Sequence, residues 1–217
     1  MAAVGLVETI RVRGGRLPFL ARHLERLERS RRALGHPPLT RDPEPMVRQF
    51  EGVDDGVVRL EVHNGQPLVT VRELPSDTPP RVIVAARVHA AYPHKTTARD
   101  TFDAAAVEAR RAGADDALLV TSDGFVAEGT VWAVCWWEGE RLRAPALDLE
   151  ILPGVGRARV AELVSFEEGR FRLADLVGRS LFLVNAVRGI VPIASLKGQE
   201  VPQDQRTAAL SRRFWPD

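Results

Sequence analysis

The chain has 217 residues, with thirty basic side chains against twenty-nine acidic ones, a formal charge of +1 and a single cysteine, Cys135. Such a balance gives no general pull toward nucleic acid or an anionic membrane, and one thiol rules out an internal disulfide and a cysteine-based metal cluster. No apolar run approaches a membrane span, and charges fall too close to the start for a signal peptide, so the expectation is a cytoplasmic protein in a reducing compartment.

In chain order, "LVETIRV" alternates as a strand and "GGR" turns the chain. In "FLARHLERLERSRRALGHPP", Leu20, Leu24, Leu27 and Leu34 recur at helical spacing and Gly35, Pro37 and Pro38 stop the helix. His23 and Arg26, three apart, share a side of it. A second helix is expected around residues 44–52. "VVRLEVHNGQPLVTVREL" then reads as two strands joined at Asn64-Gly65, a strong hairpin signal. "RVIVAARV" is a further strand. Residues 1–88 are expected to form a small α+β lobe, 89–97 a connection, and 98–217 a larger mixed α/β lobe. The latter opens with a helix near 99–112. "DALLVTSDGFVAEGTVWAVCWWEGERLRAP" should supply a meander of three or four strands, "ILPGVGRARVAELV" a turn into a helix, and "SLFLVNAVRGIVPIASL" two strands around an Asn-Ala-Val-Arg-Gly corner.

Of the thirty basic residues, only Lys95 and Lys197 are lysine. Arginine stays protonated in proteins, whereas a lysine amine can be driven neutral and made a nucleophile. Lys95 in "AYPHKTTARD" is therefore either a residual surface charge or a reactive amine, and Lys197 in "SLKGQE" reads as an exposed turn. The glycines of "LPGVGRARV" expose backbone N–H groups at a helix start, which suits either an anion or an ordinary helix entry. The third glycine of a dinucleotide fingerprint is replaced by Arg159. Glu128 lies in the otherwise apolar "GFVAEGT", where an ionised carboxylate either points outward or meets a cation. Cys135 among Trp132, Trp136 and Trp137 reads as core packing. The histidines show no ligand spacing, and no metal is assigned.

Taken in order, "ETIRV", "HLERL", "HKTTAR", "GADDALLVTSDGFVAEGT", "ILPGVGR" and "NAVRGIVPI" resemble the class IV aminotransferases. These are pyridoxal-phosphate enzymes of fold type IV, two-lobed, and they include branched-chain and D-amino-acid aminotransferases and 4-amino-4-deoxychorismate lyase. The resemblance implies that Lys95 holds pyridoxal 5'-phosphate covalently. It implies that Glu128 pairs with the pyridine nitrogen and keeps it protonated, so that the ring acts as an electron sink. Arg26 matches the phosphate-binding arginine of the family's H-x-x-R-L segment, joined by the backbone of Val155 and Gly156 and the Asn185-Ala186 corner.

Three details resemble the lyase branch: "HKTTAR", "NAVRG", and Thr9, which stands where lyases have a threonine that assists proton transfer. A substrate with two carboxylates would suit Arg11, Arg72, Arg99 or Arg188. The resemblance also implies a homodimer and a small-molecule amino substrate, while the charge balance and the lack of a long apolar run give the expectation of no nucleic acid and no membrane. The alternatives are an aminotransferase acting on a D- or branched-chain amino acid, and a non-catalytic cofactor-binding homologue. Two departures from the family pattern stand out. The chain opens almost directly at "VET", so a shortened small lobe is expected, and Ala133 stands five residues after Glu128 where asparagine is common.

Overall fold

The computed structural model describes residues 4–76 and 78–216. It divides into two units, one containing the chain up to Ser76 together with His94–Ala98, the other containing the remainder.

In the first unit, β1 (Leu6–Val12) is followed by α1 (Leu20–Ala33), α2 (Pro43–Arg48), β2 (Gly56–His63) and β3 (Gln66–Arg72). The strands form an antiparallel sheet in the order β1-β2-β3. Asn64 and Gly65 take φ of 50° and 77°, the two left-handed residues that a tight hairpin turn needs to match strand twist. Because side chains alternate along a strand, one face of β1 and β2 presents Leu6, Ile10, Val12, Val58, Leu60 and Val62, which bury Leu20 and Leu27 of α1. The amphipathic spacing of α1 thus has an apolar face to meet. Asp42 caps α2, its side chain accepting the Glu44 N–H.

The second unit contains β4 (Arg81–Val88), α3 (Asp100–Arg111), β5 (Asp116–Val120), β6 (Val126–Gly129), β7 (Ala133–Glu138), β8 (Arg141–Pro145), α4 (Val155–Leu163), β9 (Phe166–Gly169), β10 (Ser180–Asn185), β11 (Gly189–Pro192), β12 (Ser195–Leu196), β13 (Gln199–Glu200) and α5 (Gln205–Arg213). Two five-stranded sheets run β11-β10-β7-β8-β9 and β13-β12-β4-β5-β6. One core cluster joins residues of both sheets, among them Val82, Leu118, Val126, Trp136, Leu181 and Ile193. A second gathers Phe102, Ala105 and Ala109 of α3 against Ala85, Ala117 and Leu119.

Two expectations need correcting. The strand "RVIVAARV" does not belong with the first lobe: as β4 it pairs in parallel with β5 and β12, so the boundary falls near residue 76 instead of 88, and 94–98 returns to the first unit. A parallel partner must come from beyond a crossover, which local alternation does not reveal. The stretch 116–145 is also not one meander. β6 pairs with β5, whereas β7 pairs with β8 and β10, so the chain changes sheets between Gly129 and Ala133. The buried carboxylate of Asp116 fixes this corner by accepting the Thr130 N–H at 2.9 Å and the Thr130 hydroxyl at 2.9 Å. Strand β9 and helix α5 had no clear signal in the sequence.

Leu60 is fully buried in the first-unit core. Leu60→Ala is expected to destabilise that unit by about 2–5 kcal/mol, the cost of a lost side chain and a partly uncollapsed cavity. Urea denaturation followed by helix circular dichroism measures it.

Candidate functional site

In the second unit, all four residues of β6 are buried, and Glu128 among them faces the cost of an ionised group inside a sheet. Its Oε1 lies 3.0 Å from His89 Nε2 and accepts the Leu152 N–H at 3.2 Å. No described residue donates to Oε2, and no arginine or lysine lies within ion-pair distance. One oxygen is fixed and the other is left for a donor that the unit does not supply.

Leu152 belongs to the segment that enters α4. The helix begins at Val155 without a side-chain cap on Gly154, so its first N–H groups have no intrahelical partner and present the positive end of the helix dipole. Arg157 anchors this turn, donating to Pro145 O at 3.0 Å and pairing with Glu168. Gly156 is required by close approach: a Cβ there would stand 2.6 Å from the carbonyl carbon of Asn185. The Asn185 side chain in turn accepts the N–H groups of Val187 and Arg188 at 2.9 and 2.8 Å, an Asx-type turn that shapes the corner. Val155, Gly156, Asn185 and Ala186 are therefore brought together, with Glu128 tied to the same segment. A cradle that excludes a Cβ, beside a buried carboxylate short of one donor, fits a phosphorylated cationic heterocycle.

In the first unit, Leu6 bridges Thr96, and the Val7 N–H donates to Lys95 O at 3.0 Å. Segment 95–97 thus runs antiparallel along the open edge of β1. Half-buried Lys95 stands in register with Val7, on the face that also carries Thr9, and its charge lies near enough to His23 of α1 to help lower that ring's pKa. Across the sheet Thr9 is paired with Arg59, and Arg11 with Val57, which is paired in turn with Arg72. Arg59 went unremarked in the sequence although it shares this face. Arg11 is paired with Asp55 at 2.6 Å and Arg59 with Glu61 at 2.5 Å.

Arg26 lies on the α1 face, buried. Glu8 grips it with both oxygens, at 2.9 Å from Nε and 2.5 Å from Nη2, and also lies 2.7 Å from His23 Nδ1. Burial alone would raise the Glu8 pKa, but the Arg26 charge and the hydrogen bonds from His23 and Arg26 outweigh it and hold it at about 2. Burial lowers the His23 pKa, against the opposing pull of Glu8. His23 Nε2 is buried with no hydrogen-bond partner. Glu8 carried a legible signal, being the one polar residue on the apolar row of β1. The partnership of His89 with Glu128 carried none, since the two are 39 residues apart.

The other proposed arginines are engaged within the second unit. Arg99 donates to Thr130 O at 2.6 Å and lies over the rings of Tyr92 and Phe102. Arg188 lies over Trp132 and donates to Thr78 O at 2.9 Å. Burial pushes the Cys135 thiol up to about 12, which suits a packed side chain and not a nucleophile. Among the described residues no group of three or more His, Cys, Asp or Glu could hold a metal ion, and no helix is long and apolar enough to cross a membrane.

The family model for amino-transferase class IV matches residues 5–196. The chain belongs to the class IV aminotransferase family. That family is pyridoxal-phosphate-dependent. Aminodeoxychorismate lyase of Bacillus subtilis is 32% identical over 88 residues, 38% of this chain and 30% of that protein's own length. A fold IV transaminase from Curtobacterium pusillum superposes with a TM-score of 0.84 at 27% identity, covering 97% of this chain and 83% of its own. A hypothetical aminotransferase from Mycobacterium tuberculosis in its PLP-bound form superposes with a TM-score of 0.83 at 24% identity, over 97% and 87% of the two chains. This last likeness speaks for the shared fold.

The Glu8 cluster makes this class IV chain acid-sensitive in a defined direction. Glu8 titrates near 2 when folded and near 4.5 when not, so between those values the unfolded chain binds more protons and stability rises with pH. His23, lowered from 6.5, acts in the same sense below that pH. Denaturant titrations from pH 7 down to 3 should show a steep loss in the native protein and a flatter one in Glu8→Gln, which starts less stable.

Proposed function

We propose that this chain is a pyridoxal-phosphate lyase acting on 4-amino-4-deoxychorismate, releasing pyruvate and leaving 4-aminobenzoate for folate synthesis. The cofactor, when bound, supplies an electron sink conjugated to the amine-bearing carbon. Lys95 would be the amine that holds it and the base that takes the proton from the amine-bearing carbon of the substrate. Breaking the ring-to-oxygen bond then expels the side chain as enolpyruvate, which is protonated to pyruvate while the ring becomes aromatic. Thr9 relays the proton. Glu128 holds a proton on the ring nitrogen through Oε2. The N–H groups of Val155 and Gly156 and the Asn185-Ala186 corner would receive the phosphate, and Arg26, held by Glu8, is the arginine that the family resemblance assigns to phosphate binding.

The observation that carries this reading is the buried carboxylate of Glu128, fixed on one oxygen and short of a donor on the other. The lyase outcome draws support from the register that sets Thr9 on the face of Lys95, and from the curated lyase at 32% identity over 88 residues. Arg59, Arg11 and Arg72, which fall on that face, suit a substrate with two carboxylates. The aminotransferase reading shares the first proton transfer and differs in hydrolysing the product imine. It has its own support in the fold IV transaminase at 27% identity.

With aminodeoxychorismate as substrate, pyruvate should form without glutamate. Glutamate formed from 2-oxoglutarate with a panel of amino acids, and no pyruvate, would replace the lyase by the transaminase. Lys95→Ala should abolish the visible absorption of the loaded protein and reduce turnover by several orders of magnitude. Lys197→Ala, at the tip of the β12–β13 hairpin, should leave both unchanged.

The protein is proposed to work as a cytoplasmic homodimer whose interface, like other obligate ones, buries more than ~1,600 Å². Sedimentation velocity of the loaded protein at low micromolar concentration should give a single dimeric species. A monomer that turns over substrate would exclude it.

A further inference from the structure

We propose that His89 is the positioning residue for Glu128: it fixes the carboxylate so that Oε2 is presented to the ring nitrogen. The inference rests on the reading of Glu128 as the partner of that nitrogen.

His89 follows β4 directly. Its backbone N–H donates to Val120 O at 2.7 Å, its side chain is 2% exposed, and its ring stands edge-on to Phe102 with centroids 5.8 Å apart at 81°. Backbone bond, burial and ring contact together settle the direction of the imidazole. A carboxylate oxygen only accepts, so Nε2 carries the hydrogen of the 3.0 Å bond to Glu128 Oε1.

The terminal torsion of a glutamate is broad and roughly two-fold, and a carboxylate held by one donor can swing its second oxygen. Here two donors converge on Oε1. The Leu152 N–H, at 3.2 Å, is the longer bond, and it comes from the segment entering α4. His89 supplies the shorter one from the end of β4. Glu128 is thereby registered both to its own sheet and to the turn carrying Val155 and Gly156.

The choice of imidazole matters as well as its place. At Glu8 the guanidinium of Arg26 engages both oxygens and closes the carboxylate. An imidazole donates through one atom to one oxygen and leaves the other open. Position 89 thus does for Glu128 what an arginine there would prevent.

The test compares His89→Leu, which removes the donor, with His89→Gln, whose amide nitrogen reaches about as far as Nε2. Each is loaded with pyridoxal phosphate carrying ¹⁵N in the ring. The nitrogen resonance reports protonation without turnover, and a fluorescence titration gives the affinity. His89→Leu should move the resonance toward the unprotonated value and weaken cofactor binding about tenfold, the loss of a hydrogen bond to a charged group. His89→Gln should restore both.

A role confined to packing would lower the melting temperature of both variants and leave the resonance alone, and that result overturns the proposal. Glu128→Gln is the reference. If it shifts the resonance and His89→Leu does not, the His89 inference fails while the reading of Glu128 stands. If Glu128→Gln does not shift it either, both fall. Should His89→Leu not fold, ¹⁵N-histidine spectra of the native protein decide. Hydrogen on Nε2 of His89 supports the proposal, and hydrogen on Nδ1 alone refutes it.

Discussion

An ionised carboxylate placed inside a β-sheet loses its water and must be given donors in return. Among the described residues this chain does so at three buried positions, Glu8, Asp116 and Glu128, and each is answered differently. Glu8 receives an arginine and a histidine, enough to hold its pKa at about 2. Asp116 receives the N–H groups of Ala117 and Thr130 and the Thr130 hydroxyl, and burial still pushes its pKa upward. Glu128 receives one imidazole and one N–H, both on the same oxygen.

That contrast separates architecture from chemistry within one structure. Asp116 is a clamp: its donors come from the corner where the chain leaves one sheet for another, and they close on it. Glu8 ties β1 to α1, where a charged pair replaces apolar contacts in the middle of the first-unit core. Once each is satisfied, neither carboxylate has an oxygen to offer a ligand. Glu128 keeps one oxygen to which no described residue donates. The same segment that gives it the Leu152 N–H continues into the uncapped start of α4, so the carboxylate and that helix start are positioned by one stretch of backbone.

Glycine and arginine make a related division of labour. Gly156 is fixed by the approach of the Asn185 backbone, which leaves no room for a Cβ, so that residue shapes the cradle by what it lacks. Several arginines are held by local partners: Arg31 and Arg32 by Glu28, Arg48 by Glu44, and Arg206 by Asp204. Exposed pairs of this kind contribute little individually. On the face of Thr9, Arg11 and Arg59 likewise have acidic neighbours, Asp55 and Glu61, with which a substrate carboxylate would compete.

The sequence alone determined the elements whose signal is local. The alternation of "LVETIRV", the leucine spacing of α1 and the Asn64-Gly65 turn depend on neighbours within a few residues, and they appear where expected. The lone lysine in "HKTTAR" and the carboxylate in an apolar strand stood out as candidates for the same reason, because each breaks a bias of its surroundings. Tertiary structure decided what depends on partners far along the chain. β4 joined the second unit because its partner is the parallel strand beyond α3, and 116–145 split between two sheets because Asp116 holds Thr130. His89 and Glu128 meet only once β4, β5 and β6 are aligned side by side. Hydrogen bonds between distant segments leave no periodicity to read, and so the residue that orients the carboxylate was hidden while the carboxylate itself was not.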